Sequence, residues 1–184
     1  MIDRRQFVRV TLAAAGLATA GLVAVPARAH GPTPQKIAET IRIAAPPDAV
    51  WKLVGDFGAI AVWHPGVSAC RISNGNVPGS ERDIELEKGE LRESLDEYDA
   101  KAMLIAWRLA KENVEIFPVS FYSASLQIRP AEGGSEVEWT ARFYRGDTGN
   151  FPSETLDDQA AIAAMTNFYR TGLDGLKAAA EGKK

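Results

Sequence analysis

Cysteine and histidine are almost missing from this chain. Cys70 is its single thiol, and His30 and His64 are the only imidazoles in 184 residues. One cysteine excludes an internal disulfide and any cysteine-based zinc site. With so few histidines, Ser-His-Asp chemistry has nothing to route through but His64. No nucleophile–base pair stands at a useful spacing. No glycine-rich phosphate loop follows a strand, which argues against a nucleotide cofactor. No apolar run reaches the roughly 20 residues of a membrane span. Basic charge is short as well. The chain carries net charge -3, and residues 1–29 hold Arg4, Arg5, Arg9 and Arg28 against Asp3, which leaves -6 for the rest. That balance disfavours nucleic acid or an anionic membrane as partner. It suits solubility or a basic protein partner.

What is present begins with an address. Arg4-Arg5-Gln6-Phe7-Val8-Arg9 resembles the twin-arginine export motif, in which two arginines precede an aromatic and another basic residue. Thr11 to Val25 is apolar but rich in alanine and glycine, and Ala27-Arg28-Ala29 is a small-x-small cleavage pattern. The expectation is a cleavable signal peptide over 1–29 and a protein that works in the periplasm. An uncleaved amphipathic anchor is the alternative. A flexible tail over 30–35 follows, then one domain over 36–179 and a short tail over 180–184. The roughly 155 residues left after cleavage suffice for one core and not for two. Cleavage after Ala29 makes His30 the new terminus, where its amine and imidazole suit copper(II). The plainer reading is that His30 only begins a loose Gly31-Pro32-Thr33-Pro34 tail.

The pattern in the body is strand, two short helices, a meander of strands and one long helix. Ile41 and Ile43 share a strand face. Pro46-Pro47-Asp48 opens a short helix with Val50, Trp51, Val54 and Phe57 on its apolar side and Gly58 at its end. A second helical piece covers Ala59 to Trp63. From Val67 the apolar period becomes two. Arg82, Ile84 and Leu86 share a face, and Lys88-Gly89 has the type and length of a tight hairpin turn. Leu91, Glu93 and Leu95 face one way, with Arg92, Ser94 and Asp96 opposed. Met103, Ile105, Trp107 and Leu109 align, then Tyr122, Ala124, Leu126 and Ile128. After the turn at Glu132-Gly133-Gly134-Ser135, the inward set is Val137, Trp139, Ala141 and Phe143. Leu156 to Ala179 has Ile162, Met165, Tyr169, Leu173 and Leu176 on one helical stripe, with Asp158 and Gly172 on the same side. Thr155 is the expected cap, and short links predict an antiparallel sheet. The fold class is α+β, a half-buried sheet closing on one long helix.

In their order and spacing, six pieces resemble the helix-grip superfamily of START-like, birch-pollen-allergen-like and polyketide cyclase/dehydrase-like proteins (the SRPBCC superfamily). They are Ala45-Pro46-Pro47-Asp48-Ala49-Val50-Trp51, Asp56-Phe57, Trp63-His64-Pro65, Arg92-Glu93-Ser94-Leu95, Pro118-Val119-Ser120 and Val137-Glu138-Trp139-Thr140. The resemblance implies a curved antiparallel sheet wrapped around the C-terminal helix, with a cavity between them. A nearer likeness is to periplasmic MxaD-like proteins, carried by His30-Gly31-Pro32-Thr33-Pro34-Gln35-Lys36, Val54-Gly55-Asp56-Phe57-Gly58, Trp63-His64-Pro65 and Phe143-Tyr144-Arg145-Gly146. It implies a non-enzymatic accessory of methanol oxidation that meets a dehydrogenase or its cytochrome partner. A carrier or sensor of a small hydrophobic molecule is the alternative. A cyclase or dehydratase using Glu93 or Tyr122 is the third, on fold analogy alone.

Glu93 shares its face with Leu91 and Leu95, and a buried carboxylate must take a proton or find a cation. Arg82, on the inward face of the neighbouring hairpin strand, is the candidate cation. The pair is either a structural ion pair or the floor of a ligand site. The resemblance to plant abscisic-acid receptors implies the second, with Glu93 and Tyr122 at the pocket. Those receptors close a longer loop where this chain has only its tight hairpin. Trp107, Trp139 and Tyr169 are expected in the core or the cavity wall. Trp63 and His64 either form an interaction surface or plug the sheet. No cofactor is expected, and no metal beyond the copper alternative at His30.

Overall fold

The computed structural model describes residues 31–182. The expected signal peptide over 1–29 and His30 lie outside the described residues. Seven strands form one antiparallel sheet in the order β1-β7-β6-β5-β4-β3-β2. They are β1 Gln35–Ile43, β2 Ala69–Ile72, β3 Glu81–Leu86, β4 Gly89–Asp99, β5 Leu104–Lys111, β6 Val119–Ala131 and β7 Gly134–Arg145. Helices α1 (Pro47–Val54) and α2 (Ile60–Trp63) link β1 to β2, and α3 (Asp158–Ala180) ends the domain. The sheet curves around α3, the α+β helix-grip architecture that the strand faces and the resemblance predict.

Why these residues form these elements follows from their periodicity. Strand β7 alternates without a break, with Val137, Trp139, Ala141 and Phe143 all buried. Its inward positions face α3, whose buried stripe is Ala161, Met165, Tyr169, Gly172, Leu173 and Leu176. Ile162, expected on that stripe, is only half-buried, and Ala161 takes the inward place.

Strand β4 departs from alternation. Its pairing with β5 shifts register twice, passing over Ala110 of β5 at Arg92/Glu93 and Asp96 of β4 at Leu95/Glu97, and such bulges bend a strand and raise its twist. Glu93, Ser94 and Leu95 are consecutively buried. Ser94, expected outward, is covered because the segment before β3 folds onto β4. Gly79 N–H donates to the Leu95 carbonyl at 2.7 Å, and Leu95 N–H donates to the Ser80 carbonyl at 2.8 Å.

Local boundaries differ from expectation for physical reasons. Helix α1 stops at Val54 with Gly55 as its cap, three residues before Gly58, because Phe57 has already turned into the core. Helix α3 starts at Asp158, and its cap is Asp157, not Thr155. The Asp157 carboxylate accepts from Ala160 N–H at 2.8 Å, a better acceptor than a threonine hydroxyl. The β3–β4 hairpin turns on Glu87-Lys88, and Gly89 already pairs with Leu86. Met103 sits in the β4–β5 turn at φ 52 and outside the strand.

Candidate binding site

Four strands each contribute one side chain to a polar cluster in the interior. Arg82 and Glu93 are direct cross-strand partners on β3 and β4. Trp107 on β5 and Tyr122 on β6 extend the row. Arg82 and Glu93 are each 2% exposed. Arg82 Nε–H donates to Glu93 Oε2 at 2.6 Å, and its Nη1 donates to the Phe57 carbonyl at 2.7 Å. The second carboxylate oxygen accepts from Trp107 Nε1–H at 3.0 Å and from the Tyr122 hydroxyl. The guanidinium also lies 3.9 Å from the centre of the Phe57 ring and 5.1 Å from that of Trp107, in cation–π range. Burying two charges costs several kcal/mol per ion, and only such dense pairing holds them there.

Above the cluster, between the sheet and α3, is an enclosed space. Its floor is Glu93, Tyr122 and Trp107, and its walls include Trp139, Tyr169, Met165, Phe117 and Phe168. The space measures about 10 Å³, the room of roughly one water. Tyr169 stacks on Trp139 with ring centres 4.1 Å apart and planes at 19°. Its hydroxyl is 3.5 Å from the Thr140 carbonyl, at the limit of a hydrogen bond. Burial, and then the Glu93 charge, hold the Tyr122 and Tyr169 phenols well above the ordinary tyrosine range, so both stay protonated. Of the six residues singled out from sequence as ligand-binding, Glu93, Trp107, Tyr122, Trp139 and Tyr169 line this space. Arg82 stands behind Glu93 and bonds to it rather than lining the space. Phe117 and Phe168 were not singled out. Phe168 follows Met165 by three residues on α3, a signal available in the sequence, whereas Phe117 lies between strands where no period exists.

Trp63 and His64 are corrected from a possible interaction surface to interior residues, at 5% and 1% exposed. His64 Nδ1 accepts from Gly66 N–H at 3.0 Å, which leaves the proton on Nε2. That nitrogen donates to the Phe168 carbonyl on α3 at 3.0 Å. With both nitrogens used, the ring ties α2 to α3. Burial lowers its pKa to about 4, so it is neutral at pH 7. Two glycines of α3 make the approach possible. A Cβ on Gly172 would stand 2.5 Å from His64 Cδ2 and 2.8 Å from the Trp139 ring, and one on Gly175 would overlap the Trp63 carbonyl and Pro65. Larger side chains would push the helix off the sheet.

Elsewhere the chemistry is thin. A hollow of about 320 Å³ on the outer face of the sheet is open and lined by Lys36, Asp96, Ser123, Ser125 and Arg142 among others, without convergent polar groups. Arg145 pins the loop before α3 through the Asp147 and Gly149 carbonyls at 2.7 and 2.8 Å and Asp158 Oδ2 at 3.1 Å. Asp158 thus faces an arginine and not the enclosed space. Cys70 is half-buried in β2. Among the described residues, no group of three His, Cys, Asp or Glu is placed to hold a metal ion, and no helix is long and apolar enough to cross a membrane.

Residues 34–181 match the family profile described as polyketide cyclase / dehydrase and lipid transport. A Thermobifida fusca protein solved by NMR in solution is 30% identical, with a TM-score of 0.63 over 79% of this chain and 92% of its own. The protein XoxI from Bacillus cereus is 23% identical, with a TM-score of 0.64 over 79% of this chain and 94% of its own. The Zhui aromatase/cyclase from a Streptomyces species is 17% identical, with a TM-score of 0.67 over 81% of this chain and 94% of its own. At such identities the last two likenesses speak for the fold alone. No curated protein matches this chain.

Proposed function

The chain belongs to the polyketide cyclase / dehydrase and lipid transport family, and from that premise we propose that it is a non-enzymatic binding protein of the periplasm. Its ligand is a small hydrophobic molecule held between the sheet and α3. One observation carries this reading. The interior has apolar and aromatic walls over a single polar floor, and the floor's groups are already bonded to one another. Such a lining orients a ligand without acting on it. A buried ion pair is often no more stabilising than apolar residues of the same volume. A polar floor under an apolar space gives this one a use. A cyclase or dehydratase needs a free acid or base. Here Glu93 already accepts from three donors, and Tyr122 is held protonated while donating to it. Export rests on the Arg4-Arg5 motif and the Ala27-Arg28-Ala29 cleavage pattern.

The test is native mass spectrometry of protein purified from a periplasmic extract. A bound mass that disappears in Tyr122→Phe supports the reading. Protein that carries no extra mass, and takes up none from a panel of hydrophobic probes, sinks it.

A second reading is an accessory that docks on a periplasmic dehydrogenase, such as methanol dehydrogenase, or on its cytochrome partner. The MxaD-like motifs support it, as do the exposed side chains of Phe121 at 71% and Phe151 at 94%. Phe121 is also held at φ 47, an uncommon backbone state for a bulky residue. A pulldown from periplasmic extract should then recover a redox enzyme, and recovery of none would count against docking.

A further inference from the structure

We propose that Phe117 is a door between an outer groove and the interior, and that the molecule it admits is a neutral arene bearing a hydroxyl group. This rests on the binding reading above and names its ligand class and route. A groove of about 220 Å³ runs along α3 beside the segment that joins β5 to β6, lined by His64, Ile116, Phe117, Ala164, Phe168 and Thr171 among others. Phe117 and Phe168 line both this groove and the enclosed space. Their rings meet edge-on, 5.7 Å between centres at 67°, and form the wall between the two. Displacing one ring joins them.

The two rings are held differently. Phe168 belongs to α3, its carbonyl accepts from His64, and its ring lies 4.0 Å from the imidazole centre. Phe117 sits on residues 112–118, beyond the last β5–β6 pair, Arg108 with Ser123. Ile116 and Phe117 N–H groups bond only locally, to the Asn113 carbonyl at 3.2 and 3.0 Å. Swinging Phe117 outward therefore breaks no pairing between β5 and β6. The tight β3–β4 hairpin, which leaves no room for a covering loop, packs its Gly89 close to Ile116 of this same segment. Phe117 is the moving leaf, and Phe168 is the frame.

The polar floor selects the ligand's chemistry. Arg82 is spent on Glu93 and the Phe57 carbonyl, so an incoming anion would face the Glu93 carboxylate with no cation turned toward it from the floor. A cation would unbalance a pair that is already neutral as a unit. Tyr122 gives its proton to Glu93 and keeps oxygen lone pairs to accept. Tyr169 donates only across the 3.5 Å contact to the Thr140 carbonyl and can donate more strongly elsewhere. A hydroxyl, which donates once and accepts once, fits between the two phenols. The walls of Trp107, Trp139 and Tyr169 suit a flat apolar body, and the space vacated by Phe117 is that of one ring. A cavity of about 150 Å³ lined by apolar side chains is known to take up benzene.

The experiment uses 4-ethylphenol, ethylbenzene and 4-ethylbenzoate. Affinity is read from the indole N–H resonances of Trp107 and Trp139, and association rate from stopped-flow tryptophan fluorescence. Binding of 4-ethylphenol should be about tenfold tighter than that of ethylbenzene, and 4-ethylbenzoate should leave the spectrum unchanged. Phe117→Ala should raise the association rate at least about tenfold, with Phe117→Leu between it and wild type. Tyr169→Phe should erase the preference for the phenol. If the phenol binds and neither Phe117 variant changes the rate, the door is wrong while the binding reading stands. Equal binding of 4-ethylbenzoate overturns the ligand class. Folded Phe117→Leu that binds none of the three probes overturns the binding reading itself. Should Phe117→Ala fail to fold, Phe117→Leu carries the test of the door.

Discussion

Two polar residues lie equally deep in this protein, and burial has treated them in opposite ways. Glu93 is at 2% exposure with an arginine against it, and His64 is at 1% with only backbone partners. His64 has no counter-charge in contact, so desolvation strips its proton and it acts as a neutral clamp between α2 and α3. Glu93 sits in an ion pair whose two members lie on neighbouring strands. Depth alone does not decide whether a buried group is charged; the partner in register does. The consequence for function is direct. The clamp is closed on itself, whereas Glu93 of the ion pair lies on the floor of the enclosed space with the Tyr122 hydroxyl bonded to it.

The contrast can be broken at its strongest point first. Arg82→Met leaves Glu93 buried without a cation, and the expected loss in urea unfolding is about 3–5 kcal/mol. The double variant Arg82→Met with Glu93→Leu should recover most of that stability, because no charge is then left stranded. If the double variant is as unstable as the single one, the ion pair is not the source of the loss. Next comes pH. The folded His64 pKa of about 4 lies below the ordinary value of 6.5, so the folded state resists the proton that the unfolded chain accepts. Its contribution is complete above about pH 6.5 and is lost as pH falls toward 4, roughly 3 kcal/mol over that window. Unfolding of His64→Gln across the same range should show a flatter slope, and an unchanged slope would remove His64 from the account.

Gly172→Ala drives a methyl group into His64 and the Trp139 ring, and should cost about 1–3 kcal/mol through overpacking. Thermal melts should show it, with the indole resonance of Trp139 shifted. Tyr122→Phe is the smallest of the four, about 1 kcal/mol, since Glu93 keeps Arg82 and Trp107 as donors. Chemical denaturation measures it. A loss as large as that of Arg82→Met would mean that the phenol, and not the guanidinium, holds the carboxylate in place.

The floor of the site was legible because strands repeat every two residues. Leu91 and Leu95 on one face force Glu93 inward, and the same parity puts Arg82 on the inward face of the neighbouring strand; the expected turn at Lys88-Gly89 would have set Ile84 opposite Glu93, and the turn on Glu87-Lys88 sets Arg82 there. Trp107, Tyr122 and Trp139 followed by the same counting, and Tyr169 by the three- and four-residue steps of the helix. Ser94 was not legible, because it keeps its outward place in the alternation and is covered only where the Gly79-Ser80 segment before β3 folds back onto β4. Trp63 and His64 were left between surface and core for another reason. In a four-residue helix such as α2 there is too little sequence to define a face, and only α3 packing onto it buries both. The cap of α3 lies two residues beyond Thr155 because both residues can cap a helix and the Asp157 carboxylate is the stronger acceptor.

The sequence by itself determined the α+β class, the antiparallel meander closing on one helix, the inward face shared by Arg82 and Glu93, and the glycines at 172 and 175 that allow close contact. These follow from periodicity and side-chain size, which act over a few residues. Tertiary structure alone decided how full the interior is, which nitrogen of His64 holds the proton, and that Phe117 and Phe168 share a wall. Each depends on groups far apart in the chain meeting in one place. Phe117 and Phe168 are separated by two strands, a loop and the first turns of α3, and only the curvature of the sheet around α3 brings their rings together.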